Sequence, residues 1–344
     1  MKIRRLLAWF GIFLVSLIVT VSCASPPTTP TTPTPTPTTS TSVRIGFSAW
    51  PGWFPWQVAE EAKIFAANQV AVDLKWFDGY LDSINALTVG QLDGNSQTLN
   101  DTLSSVAAGS DQVIVLVNDN STGNDQIIVR QGINAIADLK GKKVAAEEGT
   151  VDHFLLLLGL QKAGLAQKDI EFKPLETGAA AAAFAAGQVD AVGVFAPFTT
   201  KALERSGSKV LFSSKDFPGA ISDHLAVSRK FLQAHPQEVQ AMVNSWFATL
   251  DFIQKNQPQA LEIMAKRAGV TVAEYKDYDA GTHIFSVAEN LKAFEPGQDM
   301  TALPFAAKQI SQFLVSSGLI KQAPDLSNLF DPQFVKAYAA AHPS

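Results

Sequence analysis

The stretches Ala86–Thr98, "ALTVGQLDGNSQT", and Ala182–Phe195, "AAFAAGQVDAVGVF", share one layout. Each is a helical run that ends in Gly-Gln, an apolar residue and Asp, and then passes into a strand. Gly90 and Gly187 fall where a helix stops in the left-handed conformation that glycine tolerates. Upstream, "VRIGFSAWPG" (43–52) and "KVAAEEGTVD" (143–152) also correspond, each a strand running into a Gly-containing turn and a helix. A chain that repeats this unit is expected to hold two similar α/β lobes.

The rest of the chain fits that reading. From Val43 short apolar strands alternate with amphipathic helices, the pattern of an α/β fold with mixed, mainly parallel sheets flanked by helices. "VRIGF", "VAVDLKWF", "LDGNSQT" and "QVIVLVND" read as strands of the first lobe, and "DQIIVR", "KGKKVAAEE" and "KDIEFKPLE" as strands of the second. "HLAVSR" leads back, and the segment from Lys230 to the end reads as helices that complete lobe one. The expected division is 43–120 for the first part of lobe one, 121–221 for lobe two and 222–344 for the completion. The chain then crosses between lobes near 118–125 and near 217–223.

Composition bounds the class. With 344 residues, 47% hydrophobic, 17% charged and a net charge of -5, there is core enough for two domains and no basic stripe for nucleic acid. Residues 1–22 read as an export signal, with Lys2, Arg4 and Arg5 before an apolar run. The run ends at Cys23, the single cysteine, in a context like that of an acylated lipoprotein cysteine. Residues 25–42 contain only Ser, Thr and Pro and read as an extended spacer, so 23–42 would be a lipid-anchored linker. One cysteine allows no internal disulfide.

In open α/β sheets ligands sit beyond the carboxyl ends of the strands, and a crevice between two lobes brings two such edges together. Five segments qualify: Ser48–Trp53, Ser96–Asp101, Glu147–His153, Phe195–Phe198 and Ser222–His224. With "SAWPGWFPWQVAEEAKIF", "INAIADLKGKKVAAEEGTVDHFLLLLGLQKAGL" and "AAFAAGQVDAVGVFAPF", the chain resembles the periplasmic solute-binding proteins of ABC importers, in the nitrate/sulfonate/taurine and thiamine-precursor (NMT1/THI5-like) family. The resemblance spans roughly 43–228. It implies a two-lobed periplasmic binding protein fold of type II closing on a small solute, delivery to a permease and its ATPase, a monomer, and a place in the cell envelope.

The five segments contain no Lys or Arg but hold Asp101, Glu147, Glu148, Asp152 and Asp223. Such a lining disfavours an oxyanion and suits a compact cation, each aromatic face adding about 0.5–2 kcal/mol for a desolvated charge. Guanidinium is the expected guest, with an aminopyrimidine or a small amine behind it. Trp50, Trp53 and Phe195 would stack on it, Glu148 and Asp152 would take its N–H donors, and Asp101 and Asp223 would be further acceptors. Gly149 and Thr150 would offer backbone N–H groups, and Ser48, Gln97 and Thr98 polar contacts. Structural readings stand beside these: Trp56 as core, Asp101 and Thr150 as helix caps, Asp152 as a charge at a helix dipole. The alternative ligands are taurine or another alkanesulfonate, nitrate, or a thiamine-precursor pyrimidine. No cofactor or metal is expected, because no phosphate loop, HExxH or Gly-x-Ser-x-Gly occurs and no histidines have metal-ligand spacing. His153 and His224 lie near the expected cleft, each reading as a surface polar residue. The pyrimidine-synthesising branch of the resembled family uses cysteines and a histidine, and Cys23 is assigned to the anchor, so the chain is expected to be no enzyme.

Overall fold

The computed structural model describes residues 42–343, which fold as one body. The expected signal, Cys23 and nearly all of the spacer lie outside the described residues. The chain opens with β1 (Val43–Phe47), α1 (Pro55–Glu61), α2 (Ile64–Ala67), β2 (Val72–Trp76), α3 (Tyr80–Thr88), β3 (Gly94–Thr98), α4 (Leu99–Ala107) and β4 (Gln112–Ser121). It crosses to β5 (Asp125–Val129), β6 (Lys143–Ala146), α5 (Val151–Lys162), β7 (Glu171–Pro174), α6 (Thr177–Ala185), β8 (Ala191–Phe195), α7 (Phe198–Leu203) and β9 (Lys209–Ser213). It returns with β10 (Ser222–Ser228), α8 (Arg229–Ala234), α9 (Pro236–Lys255), α10 (Gln257–Ala268), α11 (Val272–Asp277), β11 (Thr282–Ile284), α12 (Val287–Ala293), α13 (Leu303–Ser317) and α14 (Gln333–Ala341).

Two mixed sheets result, ordered β11-β4-β10-β3-β1-β2 and β7-β6-β8-β5-β9. The strands β2, β1 and β3 run parallel, as do β7, β6 and β8. The strands beyond them pair antiparallel, because each crossover brings the chain back in the opposite direction. The internal repeat is visible bond by bond. Arg44 donates its N–H to Asp93 Oδ2 (2.9 Å) while Asp93 N–H donates to Arg44 O (2.9 Å); Lys143 and Asp190 make the same reciprocal pair at 3.0 and 2.8 Å. Gly90 and Gly187 both have φ of +77°.

Strand β3 carries Asn95, Ser96, Gln97 and Thr98 into full burial, which is possible only because each is hydrogen-bonded. Asn95 donates to Ser83, Gln97 to Thr102 and Gln112, and Ser96 accepts from the indole of Trp56. The returning helices close lobe one, α9 packing on α1 and α13 on α4. α1 and α2 are separated at Lys63, whose φ is +59°. One detail differs from the sequence reading: the tail is not wholly helical, since β11 adds three residues to the edge of β4.

Candidate functional site

The turn after β1 is built by its own composition. Pro51 limits the backbone, the N–H groups of Trp53 and Phe54 return to Trp50 O, and Tyr275 donates to Pro51 O at 3.1 Å. A Cβ on Gly52 would overlap the carboxyl group of Asp119, so only glycine lets that acid reach Trp50. There Trp50 Nε1 donates to Asp119 Oδ1 at 2.9 Å.

Trp50 and Trp53 then meet Tyr80 of α3 and, from the other lobe, Phe195 at the end of β8. Successive ring centroids around this four-sided box stand 6.4, 5.3, 6.0 and 6.2 Å apart. The space inside is also lined by Thr98, Asp125, Val151, Ile221 and Asp223 and has a volume of about 10 Å³. That is room on the scale of one water, so a guest of several heavy atoms, guanidinium included, enters only if the walls part.

Six carboxyl groups are buried around this space: Asp101, Asp119, Asp125, Glu147, Asp152 and Asp223. None is in an ion pair among the described residues. Burial away from water pushes Asp101 and Asp125 up to about 7 and Asp119 up to about 8. It also raises Glu147, and carries Asp152 and Asp223 well above the ordinary carboxylate range, Asp119 adding to the effect on Asp223.

The six fall into two sets. Asp101, Glu147 and Asp152 stand at helix N-termini, where negative charge is favoured. Asp101 accepts from Thr98 and Asn100 in its own lobe and lies against the backbone N–H of Val151 at the start of α5 in the other. Glu147 reciprocates, lying against the N–H of Leu81 in α3. The other set, Asp119, Asp125 and Asp223, gathers near the crossovers, and the Oδ2 atom of each is buried with no donor. Trp53 Nε1, on the wall of the box, has no acceptor. No group of three or more His, Cys, Asp or Glu among the described residues is arranged to hold a metal ion.

Of the residues singled out from sequence, Trp50, Trp53, Thr98, Phe195 and Asp223 line the box. Others do not. Glu148 is exposed, and its neighbour Glu147 turns inward. Gly149 gives its N–H to His153 Nδ1 and Thr150 gives its own to Glu147 O, so neither is free for a guest. Gln97 is consumed by the polar network of lobe one, and Ser48 is buried beside the turn without a partner. Asp101 and Asp152 are buried behind the lining, Asp152 held by Thr177. His153 and His224 are both buried rather than superficial. His153 stacks on Phe172, and burial holds His224 neutral, down to about 3. Trp56 is core, as the structural reading had it. Tyr80, Asp119 and Asp125 were not singled out.

The comparisons with known proteins agree with this architecture. Residues 36–269 match the model of the NMT1-like family. The chain belongs to the NMT1-like family. A chain of Escherichia coli (strain K12), named for binding aliphatic sulfonates, is 32% identical over 218 residues, 62% of this chain and 68% of that one. The taurine-binding periplasmic protein of the same organism is 30% identical over 230 residues, 63% and 70% of the two chains. Among solved structures, the alkanesulfonate-binding protein SsuA from Xanthomonas axonopodis pv. citri bound to MOPS superposes with a TM-score of 0.72, covering 85% of this chain and 98% of that one. Its identity is 21%, and that likeness is one of fold. This NMT1-like chain thus has the two-lobed architecture of its relatives.

Proposed function

We propose that this NMT1-like protein is the solute-binding component of an ABC importer and that its guest is a compact planar nitrogen cation, with guanidinium the best match. The observation carrying this reading is the conjunction of a four-sided aromatic box with acidic oxygens of Asp125 and Asp223 that have no donor, and no Lys or Arg in the lining. Aromatic faces attract a desolvated cation, and carboxylates complete it with charge-assisted hydrogen bonds. A quaternary ammonium would suit the faces but leave the oxygens without donors, whereas guanidinium presents N–H groups around its whole edge. The names of the relatives favour a second reading, taurine or another aliphatic sulfonate. Such an anion would enter a lining whose charged groups are all acids, with the Trp53 Nε1–H, which has no acceptor, as a donor toward it. Tethering through Cys23 and the Ser/Thr/Pro spacer, and delivery to a permease, belong to the same reading. The test is a thermal-shift series with guanidinium, methylammonium, taurine, ethanesulfonate and nitrate. Guanidinium is expected to raise the melting temperature most; a larger shift with taurine or ethanesulfonate would overturn the ligand and support the second reading.

A further inference from the structure

Asp119 on β4 and Asp223 on β10 are register partners on neighbouring strands of one sheet, with their carboxyl groups within hydrogen-bonding reach. Both are shielded from solvent, and each keeps one oxygen without a donor. Two ionised carboxylates in contact there would repel each other, and neither is paired with a cationic side chain among the described residues. One proton between them converts the contact into an O–H···O⁻ hydrogen bond. Because both strands belong to lobe one, the pair exists whether the lobes are together or apart.

The groups facing this pair supply no positive charge. Asp125 approaches from β5, Asp101 from α4 and the Tyr275 phenol from α11, while the adjacent His224 is neutral. On the other side of the site the Thr177 hydroxyl contacts Glu147 Oε2 at 2.8 Å and Asp152 Oδ2 at 2.7 Å, with Glu176 adding a further acid. A hydroxyl has one hydrogen to give, so the second contact is favourable only if one of those carboxyls is protonated.

We propose that the interlobe site holds protons which a bound cation displaces, at least one of them shared by Asp119 and Asp223 and released to solvent when N–H donors of the guest reach the free oxygens. The shared proton stands on the geometry of the pair; its displacement by guanidinium rests on the ligand reading above.

Two measurements on the full chain separate these. In the protein without added solute, carboxyl ¹³C resonances followed against pH are expected to show an Asp titrating above about pH 6 that is lost in Asp223→Asn. Titration of every Asp below about pH 5 would overturn the proposal. Calorimetry with guanidinium chloride in buffers of different ionisation enthalpy is expected to show net proton release near neutral pH. Affinity should rise by up to about tenfold per pH unit where one proton is displaced. Binding whose heat is independent of buffer and whose affinity is flat from pH 6 to 8 would overturn displacement. If guanidinium gives no heat while an Asp titration above about pH 6 that Asp223→Asn abolishes is still seen, the ligand reading falls and the shared proton stands.

Discussion

Gly52 shows how much of the site hangs on single atoms. Its missing side chain is the space in which the Asp119 carboxyl sits to receive the Trp50 indole N–H. Gly52→Ala is expected to push that carboxyl aside and weaken guanidinium binding by about tenfold or more, the range of a strained buried contact, measured by calorimetry beside an unchanged far-UV circular dichroism spectrum. Asp223→Asn keeps shape but removes charge. It is expected to cost about 1.5–3 kcal/mol of affinity, roughly 10- to 150-fold, and an unchanged dissociation constant would remove Asp223 from the site. The two tryptophans were readable because indoles packed beside a Pro-Gly turn have few structural uses. Asp119 and Asp125 were not, since "VNDNSTGND" carries the Asn, Asp, Ser and Gly that any turn would carry. Glu147 and Glu148 were distinguishable only by strand parity at the turn, which sequence does not fix.

At the level of elements, the repeated helix ends tell structural need from ligand contact. Gly90 and Gly187 share a φ of +77°, and a Cβ at Gly90 would meet nothing within 4 Å. Alanine at either position therefore carries mainly the left-handed backbone cost, about 1–2 kcal/mol. Each substitution is expected to lower the melting temperature by a few degrees and leave guanidinium affinity unchanged, as read by differential scanning calorimetry and titration. This repeat was legible because each of its residues has a mechanical role. The Gly ends a helix, the buried apolar residue fills the core, and the Asp pairs with the strand at Arg44 or Lys143. The reciprocal placing of Asp101 on α5 and Glu147 on α3 was not legible. It joins residues whose lobes meet only in three dimensions, and in sequence each acid reads as an ordinary helix-start residue.

For the molecule as a whole, the buried acids set a pH dependence with a definite sign. Their folded values lie above the ordinary 3.8, at about 7 for Asp101 and Asp125 and about 8 for Asp119. The folded chain thus keeps protons that the unfolded chain has lost, and stability without solute falls as pH rises from about 4 towards 8. The melting temperature is expected to be about 5 °C or more lower at pH 8 than at pH 5, with saturating guanidinium shrinking the difference; a flat profile would contradict the raised values. The two-lobed plan was legible because alternating strands and helices extend over most of the chain, whereas the three residues of β11 were hidden among helices. What the names of the relatives convey about the guest and what the lining conveys point in opposite directions. The most direct measurement is a paired calorimetric titration of the full chain with guanidinium chloride and with taurine at neutral pH. Saturable guanidinium binding at least about a hundredfold tighter than taurine is the expected result, a margin of the order set by one or two charge-assisted hydrogen bonds. Tighter binding of taurine would contradict the account.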